Sequence, residues 1–316
     1  MHVADRLIAV IEDKRAPVCV GLDPVLGRMP DPICREGGPL EQFRRFTLGV
    51  LRAVAPIVPV VKFQSACYER YGSGGIAILN EAITAARNLG LMIILDGKRA
   101  DIAQSAQHYA AAAFDAVAQD GHPDLITVNP YLGSDGVLPF ITERGDGRSV
   151  GAFVLVRTSN PSGDAIQAPL LQSGLTVAEH VASRVAEWGK VSVGSRGYSA
   201  LGAVVGATKA HEGRSLRRLM PQQIILVPGY GAQGGSAEDV RSLFHDDGLG
   251  AIVTASRSVI YAPQQKGETW DQAVARAAKT FAETIRNVVQ TPTSNPTTST
   301  TPSSNPTTTT NTPTTP

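Results

Sequence analysis

The sequence is poor in several residue types, and each shortage excludes a class of protein. Its 316 residues include 3 cysteines, Cys19, Cys34 and Cys67, with no Cys-x-x-Cys pair. This usage argues against a disulfide framework or a cysteine zinc site and predicts reduced thiols. Lys and Arg together number 29 and Asp and Glu 28, so the net charge of +1 gives no sign of a nucleic-acid or membrane partner.

Long apolar stretches are also missing. The longest apolar runs have the length of a strand, far below the ~20 residues that span a bilayer. The first residues, Met-His-Val-Ala-Asp-Arg-Leu-Ile, carry charges where a signal peptide needs an apolar stretch. We therefore expect no membrane segment and a cytoplasmic location.

The C-terminal segment 291–316 lacks apolar side chains altogether. It contains only Thr, Pro, Ser and Asn. With nothing to bury, this segment cannot offset the conformational entropy that ordering would cost. We predict a disordered tail over 291–316 and a folded domain over 1–288.

Short apolar runs recur along the folded domain, and segments with helical periodicity separate them. The eight runs are 18–22, 58–63, 91–95, 125–128, 152–156, 203–206, 224–227 and 251–254. Near-continuous apolar strands are typical of parallel sheets that are buried on both faces. The helical candidates include 41–54, 75–88, 102–118, 177–188 and 237–244. Eight strand–helix units in about 250 residues predict a (β/α)8 TIM barrel. A doubly wound open sheet is the alternative, but no Gly-x-Gly-x-x-Gly opens a helix after the first strand.

Charged side chains follow three of the predicted strands on their carboxyl side, where a barrel places catalytic residues. Asp96 and Lys98 follow the third run, two residues apart, so they share one strand face. Asp101 comes just beyond them, Asp23 follows the first run, and Lys62 lies near the carboxyl end of the second. These five charges predict an alternating network that holds a lysine between carboxylates. Such a lysine is suited to delivering a proton to a carbon atom.

A magnesium site built from the three carboxylates is the main alternative for this cluster. The two lysines among them would repel a divalent cation, so we expect no metal. None of the 6 histidines follows a predicted strand, and no Ser-His-Asp or Cys-His arrangement stands out.

A second constellation follows the last two strands. The glycine-rich segment 229–235 comes after the seventh run, and Arg257 comes after the eighth. Glycines let backbone N–H groups approach an anion, and arginine grips phosphate with two hydrogen bonds. Barrels often bind phosphate at these two loops. A tight turn with a surface arginine is the alternative, but the pairing favours a phosphate site.

Taken together, these segments resemble the orotidine 5′-monophosphate decarboxylase family, and its longer bacterial branch most. Asp96-x-Lys98-x-x-Asp101-Ile102 is similar to the family signature. Five further segments fit in the order of the strands: Gly-Leu-Asp-Pro at 21–24, Val-Lys-Phe-Gln at 61–64, Thr-Ser-Asn-Pro at 158–161, the glycine-rich 228–235 and Ala-Ser-Arg-Ser-Val-Ile-Tyr at 255–261. The departures, at Ala100, Tyr230, Thr254 and Ser258, remove no charged or phosphate-binding group.

The resemblance implies decarboxylation of orotidine 5′-monophosphate to uridine 5′-monophosphate (UMP), the last step of UMP biosynthesis, with no metal or cofactor. It implies that Lys98 protonates the C6 carbanion, that Asp96 and Asp101 hold Lys98, and that Lys62 balances the cluster. It also implies a homodimer with shared sites, in which Asp101 and Ile102 enter from the partner subunit. Ser105 stands where the family has a threonine that touches the substrate across the interface.

The resemblance also implies the contacts to the nucleotide. Ser159 would contact the pyrimidine, Asp23 and Lys62 the ribose, and Gln233 and Arg257 the phosphate. Two other functions stay open. A magnesium-dependent sugar-phosphate decarboxylase or aldolase would need a metal site that the lysines disfavour. A non-catalytic barrel that kept phosphate binding as a nucleotide sensor predicts a broken charge network.

Overall fold

Eight parallel strands close into a barrel in the computed structural model of the chain, which describes residues 1–115, 121–230 and 240–290. Each strand pairs with the next, and β8 returns to β1. The strands are β1 Val18–Leu22, β2 Val60–Gln64, β3 Met92–Arg99, β4 Leu125–Val128, β5 Gly151–Arg157, β6 Leu201–Val205, β7 Ile225–Pro228 and β8 Ala251–Ala255. The closed sheet confirms the predicted (β/α)8 barrel and excludes the open sheet.

Helices cover the outside of this barrel, which is why β1, β6 and β8 are buried at every position. The α-helices are α1 Val3–Lys14, α2 Asp31–Cys34, α3 Pro39–Val54, α4 Ser65–Glu69, α5 Gly72–Asn88, α6 Ala103–Phe114, α7 Asp164–Gln167, α8 Val177–Gly189, α9 Gly213–Leu219, α10 Arg257–Ile260 and α11 Trp270–Gln290. The 3-10 helices are Leu26–Arg28, Pro130–Leu132, Ser134–Gly136, Leu138–Phe140, Pro161–Gly163 and Ala207–Glu212. Local sequence explains several starts: Thr176 and Glu179 form a capping box on α8, and Pro39 occupies the first turn of α3.

The connection after β4 departs from the predicted strand–helix repeat. Three 3-10 helices occupy it in place of an α-helix. Pro130 and Pro139 lack the amide hydrogen that an α-helix interior needs, and Gly133 adopts a φ of +88°. Helix α6 ends at Phe114, four residues before the predicted end, although residues 116–118 lie outside the described part of the chain. The same holds for the start of the predicted 237–244 helix and for the tail 291–316.

Helix α1 covers the amino ends of the strands and closes that end of the barrel. The central contact there is Asp124, which precedes β4 and is 1% exposed. Its carboxylate accepts a hydrogen bond from the backbone N–H of Ile93 at 2.9 Å and forms ion pairs with Arg6 of α1 and Arg87 of α5. A site is therefore confined to the opposite, carboxyl end. Among the described residues, no helix is both long enough and apolar enough to cross a membrane.

Candidate active site

A cavity of about 490 Å³ opens at the carboxyl ends of the strands. Of the residues predicted from the sequence, it brings together six: Asp23, Lys62, Asp96, Lys98, Ser159 and Arg257. Other polar residues of its lining are Gln64, Thr127, Thr158, Asn160, Tyr230, Thr254, Ser256 and Ser258. The cavity therefore combines the charged residues of β1–β3 with the arginine that follows β8, the neighbour of β1 in the closed barrel.

The charged side chains form an alternating chain of ion pairs. The Nζ of Lys62 lies 2.6 Å from one carboxylate oxygen of Asp96, and the Nζ of Lys98 lies 2.6 Å from the other. Asp23 extends the chain beyond Lys62, at 4.0 Å. The Lys62 side chain is 7% exposed, whereas that of Lys98 is 46% exposed. Of the two lysines in this series of ion pairs, Lys98 is thus the one that is open to a ligand.

Electrostatics keep the buried members of this chain ionised. Burial would raise the pKa of Asp96, but the charges of Lys62 and Lys98 and their hydrogen bonds lower it to about 2. Burial would lower the pKa of Lys62, but Asp96 and Asp23 hold that pKa above its usual value. A positive charge is therefore fixed between the carboxylates of Asp96 and Asp23, where a divalent cation would have to bind.

Strand β3 is bulged where Asp96 and Lys98 stand. Leu95 pairs with Ile126 of β4, and Arg99 pairs with Val128, so three residues of β3 face the single residue Thr127. Lys98 adopts a φ of +44°, in the left-handed region that non-glycine residues seldom occupy. The expectation that regular strand alternation brings Asp96 and Lys98 together was therefore wrong in its geometry, because a bulge and not a continuous ladder places them.

The signature residues beyond β3 lie apart from this cluster within one chain. The carboxylate of Asp101 accepts a hydrogen bond from the backbone N–H of Ile102, at 2.8 Å. Ile102 is 51% exposed and Ser105 is exposed as well. None of the three contributes to the lining of the chain's own cavity. Gln233, the last predicted contact, lies outside the described residues.

Two residues that the sequence analysis did not single out, Thr127 and Arg157, lie beside the predicted ones. Thr127 stands inside an apolar run and carried no signal beyond being polar. Arg157, the last residue of β5, is 3% exposed and forms ion pairs with Asp164 and Glu212 at 2.8 and 2.9 Å. Arg157 could have been found from the sequence, because it is a charged residue at the carboxyl end of a predicted strand.

The loop after β5 is tied down next to this arginine. Gln167 accepts a hydrogen bond from the backbone N–H of Thr158 and donates one to its hydroxyl, both at 2.8 Å. Arg157 also donates to the Gln167 side chain at 3.4 Å. The two side chains therefore support the segment that presents Ser159 to the cavity.

Comparison with known proteins agrees with the fold and shows the family. The model of the orotidine 5′-phosphate decarboxylase / HUMPS family matches residues 16–273, and the chain belongs to this family. An orotidine 5′-phosphate decarboxylase of Rhodopirellula baltica is 39% identical over 302 residues, covering 90% of this chain and 99% of that protein. One of Deinococcus radiodurans is 41% identical over 251 residues, covering 79% of this chain and 85% of the relative.

Solved structures give the same result. The structure of Leishmania donovani OMP decarboxylase superposes with a TM-score of 0.72 at 28% identity, covering 92% of this chain and 99% of the other. The particular activity is that of an orotidine 5′-phosphate decarboxylase, a carboxy-lyase of pyrimidine biosynthesis. This confirms the family and the enzyme class expected from the sequence.

Proposed function

We propose that the cavity decarboxylates orotidine 5′-monophosphate without a metal or cofactor and that Lys98 donates the proton to C6. The ion-pair chain Asp23–Lys62–Asp96–Lys98 is the observation that carries the proposal. It ends in an ammonium group that faces the cavity, and it holds no empty site for a divalent cation between its carboxylates.

The proposed step breaks the bond between C6 and the carboxylate carbon. CO2 leaves, and the electron pair stays on C6. The ammonium group of Lys98 stabilises this developing negative charge and then gives C6 its proton, which yields UMP. The neutral amine regains a proton from water. Asp96 holds the ammonium group in place through this sequence, and Lys62 balances the charge of Asp96.

The rest of the cavity suits the rest of the nucleotide. We assign Ser159 to the pyrimidine, Asp23 and Lys62 to the ribose, and Arg257 together with Gln233 to the phosphate. Arg257 follows β8, which is separated from β3 and Lys98 by β1 and β2 in the closed barrel. Phosphate binding there would orient the substrate without touching the reacting carbon, so its binding energy can serve the reaction step.

We also propose a homodimer in which Asp101, Ile102 and Ser105 complete the partner subunit's site. All three lie outside the chain's own cavity. The backbone of Asp101 packs against Gly136, where an added Cβ would lie 2.8 Å from the carbonyl oxygen of Asp101. Exposed apolar side chains surround this loop: Ile102, Tyr109, Tyr131 and Leu132. Tyr131 is 86% exposed, so a second copy of the chain would bury substantial apolar surface here.

The proposal takes residues 1–288 as the decarboxylase domain and places the enzyme in the cytoplasm. The family match over 16–273 lies inside this domain. Cys19, Cys34 and Cys67 are all unpaired thiols, as in a reducing compartment. The magnesium-dependent alternative is not favoured, since the Lys62 ammonium group occupies the space between Asp23 and Asp96.

The first experiment follows the absorbance of orotidine 5′-monophosphate after addition of the purified protein, with and without excess EDTA. We expect the orotate band to decay at the same rate in both. No decay at all would overturn the proposed reaction. Decay that EDTA abolishes would restore the magnesium alternative.

Sharing of the site is tested by mixing Lys98→Ala and Asp101→Ala, each expected to be nearly inactive alone. If Asp101 acts across the interface, a mixed dimer has one intact site, and random mixing restores about a quarter of the wild-type activity. Each unmixed variant, taken through the same dissociation and reassociation, is the control. No recovery in a verified mixed dimer would show that Asp101 serves its own chain.

A further inference from the structure

Thr127 is the one residue of β4 that faces the bulge of β3. Residues 96–98 stand opposite it, between the paired positions Leu95–Ile126 and Arg99–Val128. In a regular ladder those three residues would make their own backbone hydrogen bonds to the neighbouring strand. At this bulge, the side chain of Thr127 and not a backbone carbonyl accepts the hydrogen bond from one of these backbone N–H groups.

The hydroxyl group of Thr127 joins the two functional residues of the bulge. It accepts a hydrogen bond from the backbone N–H of Lys98 at 2.9 Å. It donates a hydrogen bond to the carboxylate of Asp96 at 2.8 Å, on the oxygen that also pairs with Lys98. Thr127 itself is 1% exposed, so water does not compete strongly for either bond. One buried hydroxyl thus fixes the backbone of the lysine and the side chain of its carboxylate partner.

We propose that Thr127 is a positioning residue for the decarboxylation: its hydroxyl holds the strained Lys98 backbone and the Asp96 carboxylate in register. The inference rests on the proposed function of Lys98 as proton donor. Thr127 needs no contact with the substrate for this role, because both hydrogen-bonding directions of its hydroxyl are already used within the protein.

Strain at Lys98 explains why such a support is needed. A φ of +44° costs a non-glycine residue free energy, and surrounding contacts must outweigh it. Without the hydroxyl, the backbone N–H of Lys98 would lose the acceptor that holds it, and we expect the bulge to relax. A shift of about 1 Å in a catalytic group is enough to cost about 100-fold in rate.

The test compares Thr127→Val, which keeps the shape and removes the hydroxyl, with Thr127→Ser, which keeps the hydroxyl and removes the methyl group. For Thr127→Val we expect kcat to fall about 10- to 100-fold, with KM and the Kd for the product UMP within about twofold of wild type. For Thr127→Ser we expect kcat within about threefold of wild type. The circular dichroism spectrum confirms that each variant is folded.

Three outcomes would overturn the inference: unchanged kcat in Thr127→Val, equal losses in the two variants, or a loss of UMP affinity that matches the loss of kcat. Should Thr127→Val not fold, Thr127→Ala gives the same comparison with the serine variant. These results are separate from the proposed function. Wild-type protein without decarboxylase activity would overturn that function, whereas an active wild type with an unimpaired valine variant would overturn only the role of Thr127.

Discussion

Two buried cations belong to strands in different parts of the barrel: Lys62 lies within β2, and Arg157 ends β5. Their surroundings look alike at first, because each lies next to two carboxylates. Lys62 has Asp96 at 2.6 Å and Asp23 at 4.0 Å. Taken as whole residues, both cations are at most 5% exposed. Burial and pairing alone therefore do not distinguish a catalytic cluster from a structural one.

The two clusters differ in how many of their polar atoms have hydrogen-bond partners within the protein. Arg157 donates to Asp164, to Glu212 and to Gln167, and it does not line the cavity. In the Lys62 cluster, one carboxylate oxygen of Asp23 is buried without a hydrogen-bond partner. Lys98 continues that cluster into the cavity. A saturated cluster holds the fold together, while an unsaturated one offers its groups to a ligand.

The largest expected effect comes from removing the open end of the Lys62 cluster. Lys98→Ala should lower kcat by about 10⁴-fold, at the upper range for loss of a general acid, while the protein stays folded. Decarboxylation of orotidine 5′-monophosphate measures the effect. Lys190→Ala is the matched control, because the Lys190 side chain is 64% exposed and pairs with Glu187 on the surface. Substantial activity in the Lys98→Ala variant would exclude Lys98 as the proton donor.

Breaking the Arg157 cluster should act on stability instead. Arg157→Met removes a buried cation that donates to Asp164 and Glu212, which are both partly exposed, while Asp164 keeps its ion pair with Lys209. We expect the free energy of unfolding to fall by about 2 kcal/mol. Below the melting temperature, kcat should fall only a fewfold, through the loop that carries Ser159. Urea denaturation and the decarboxylation assay measure the two effects. A large loss of kcat with unchanged stability would contradict a structural role for the Arg157 cluster.

A smaller effect concerns the ionisation of the Lys62 cluster. The pKa of Asp96 lies at about 2 in the folded protein, below its usual value of 3.8. A lowered carboxyl pKa contributes stability that is present above about pH 4 and is lost as the pH falls through about 2. The contribution is about 2 kcal/mol at neutral pH.

The comparison of wild type with Asp96→Asn measures it. The variant should be less stable at pH 6, and the difference in unfolding free energy should shrink steadily as the pH is lowered toward 2. Urea denaturation at several pH values follows this difference. A gap that stays constant over the whole range would contradict the proposed ionisation of Asp96.

The barrel and most of the charged site could be predicted because both follow from local patterns. Eight apolar runs gave eight strands, with bounds such as 18–22 and 125–128 reproduced in full. Once a parallel barrel is assumed, charges on the carboxyl side of different strands must converge, so Asp23, Lys62 and Lys98 could be placed together.

The rest depended on information that a linear pattern does not hold. Thr127 lies in the run Leu-Ile-Thr-Val and has the appearance of a core residue until its partner strand and the bulge are known. The φ of Lys98 is imposed by that bulge and by no local residue preference. In the proposed dimer, the place of Asp101 depends on a second subunit, which one sequence does not position.

The closed end of the barrel, finally, determines how the open end can be built. Asp124 exchanges hydrogen bonds with Ile93 through both its backbone and its side chain, and so anchors β3 against β4 from below. With that register anchored, the surplus residues of β3 can emerge only at the top, beside Thr127. A one-residue deletion between 91 and 95 would turn the following side chains to the other face of the sheet and point Lys98 away from its ligand. The hydrogen bonds between Asp124 and Ile93 thus determine which residues of β3 and β4 face the cavity, about three residues further along each strand.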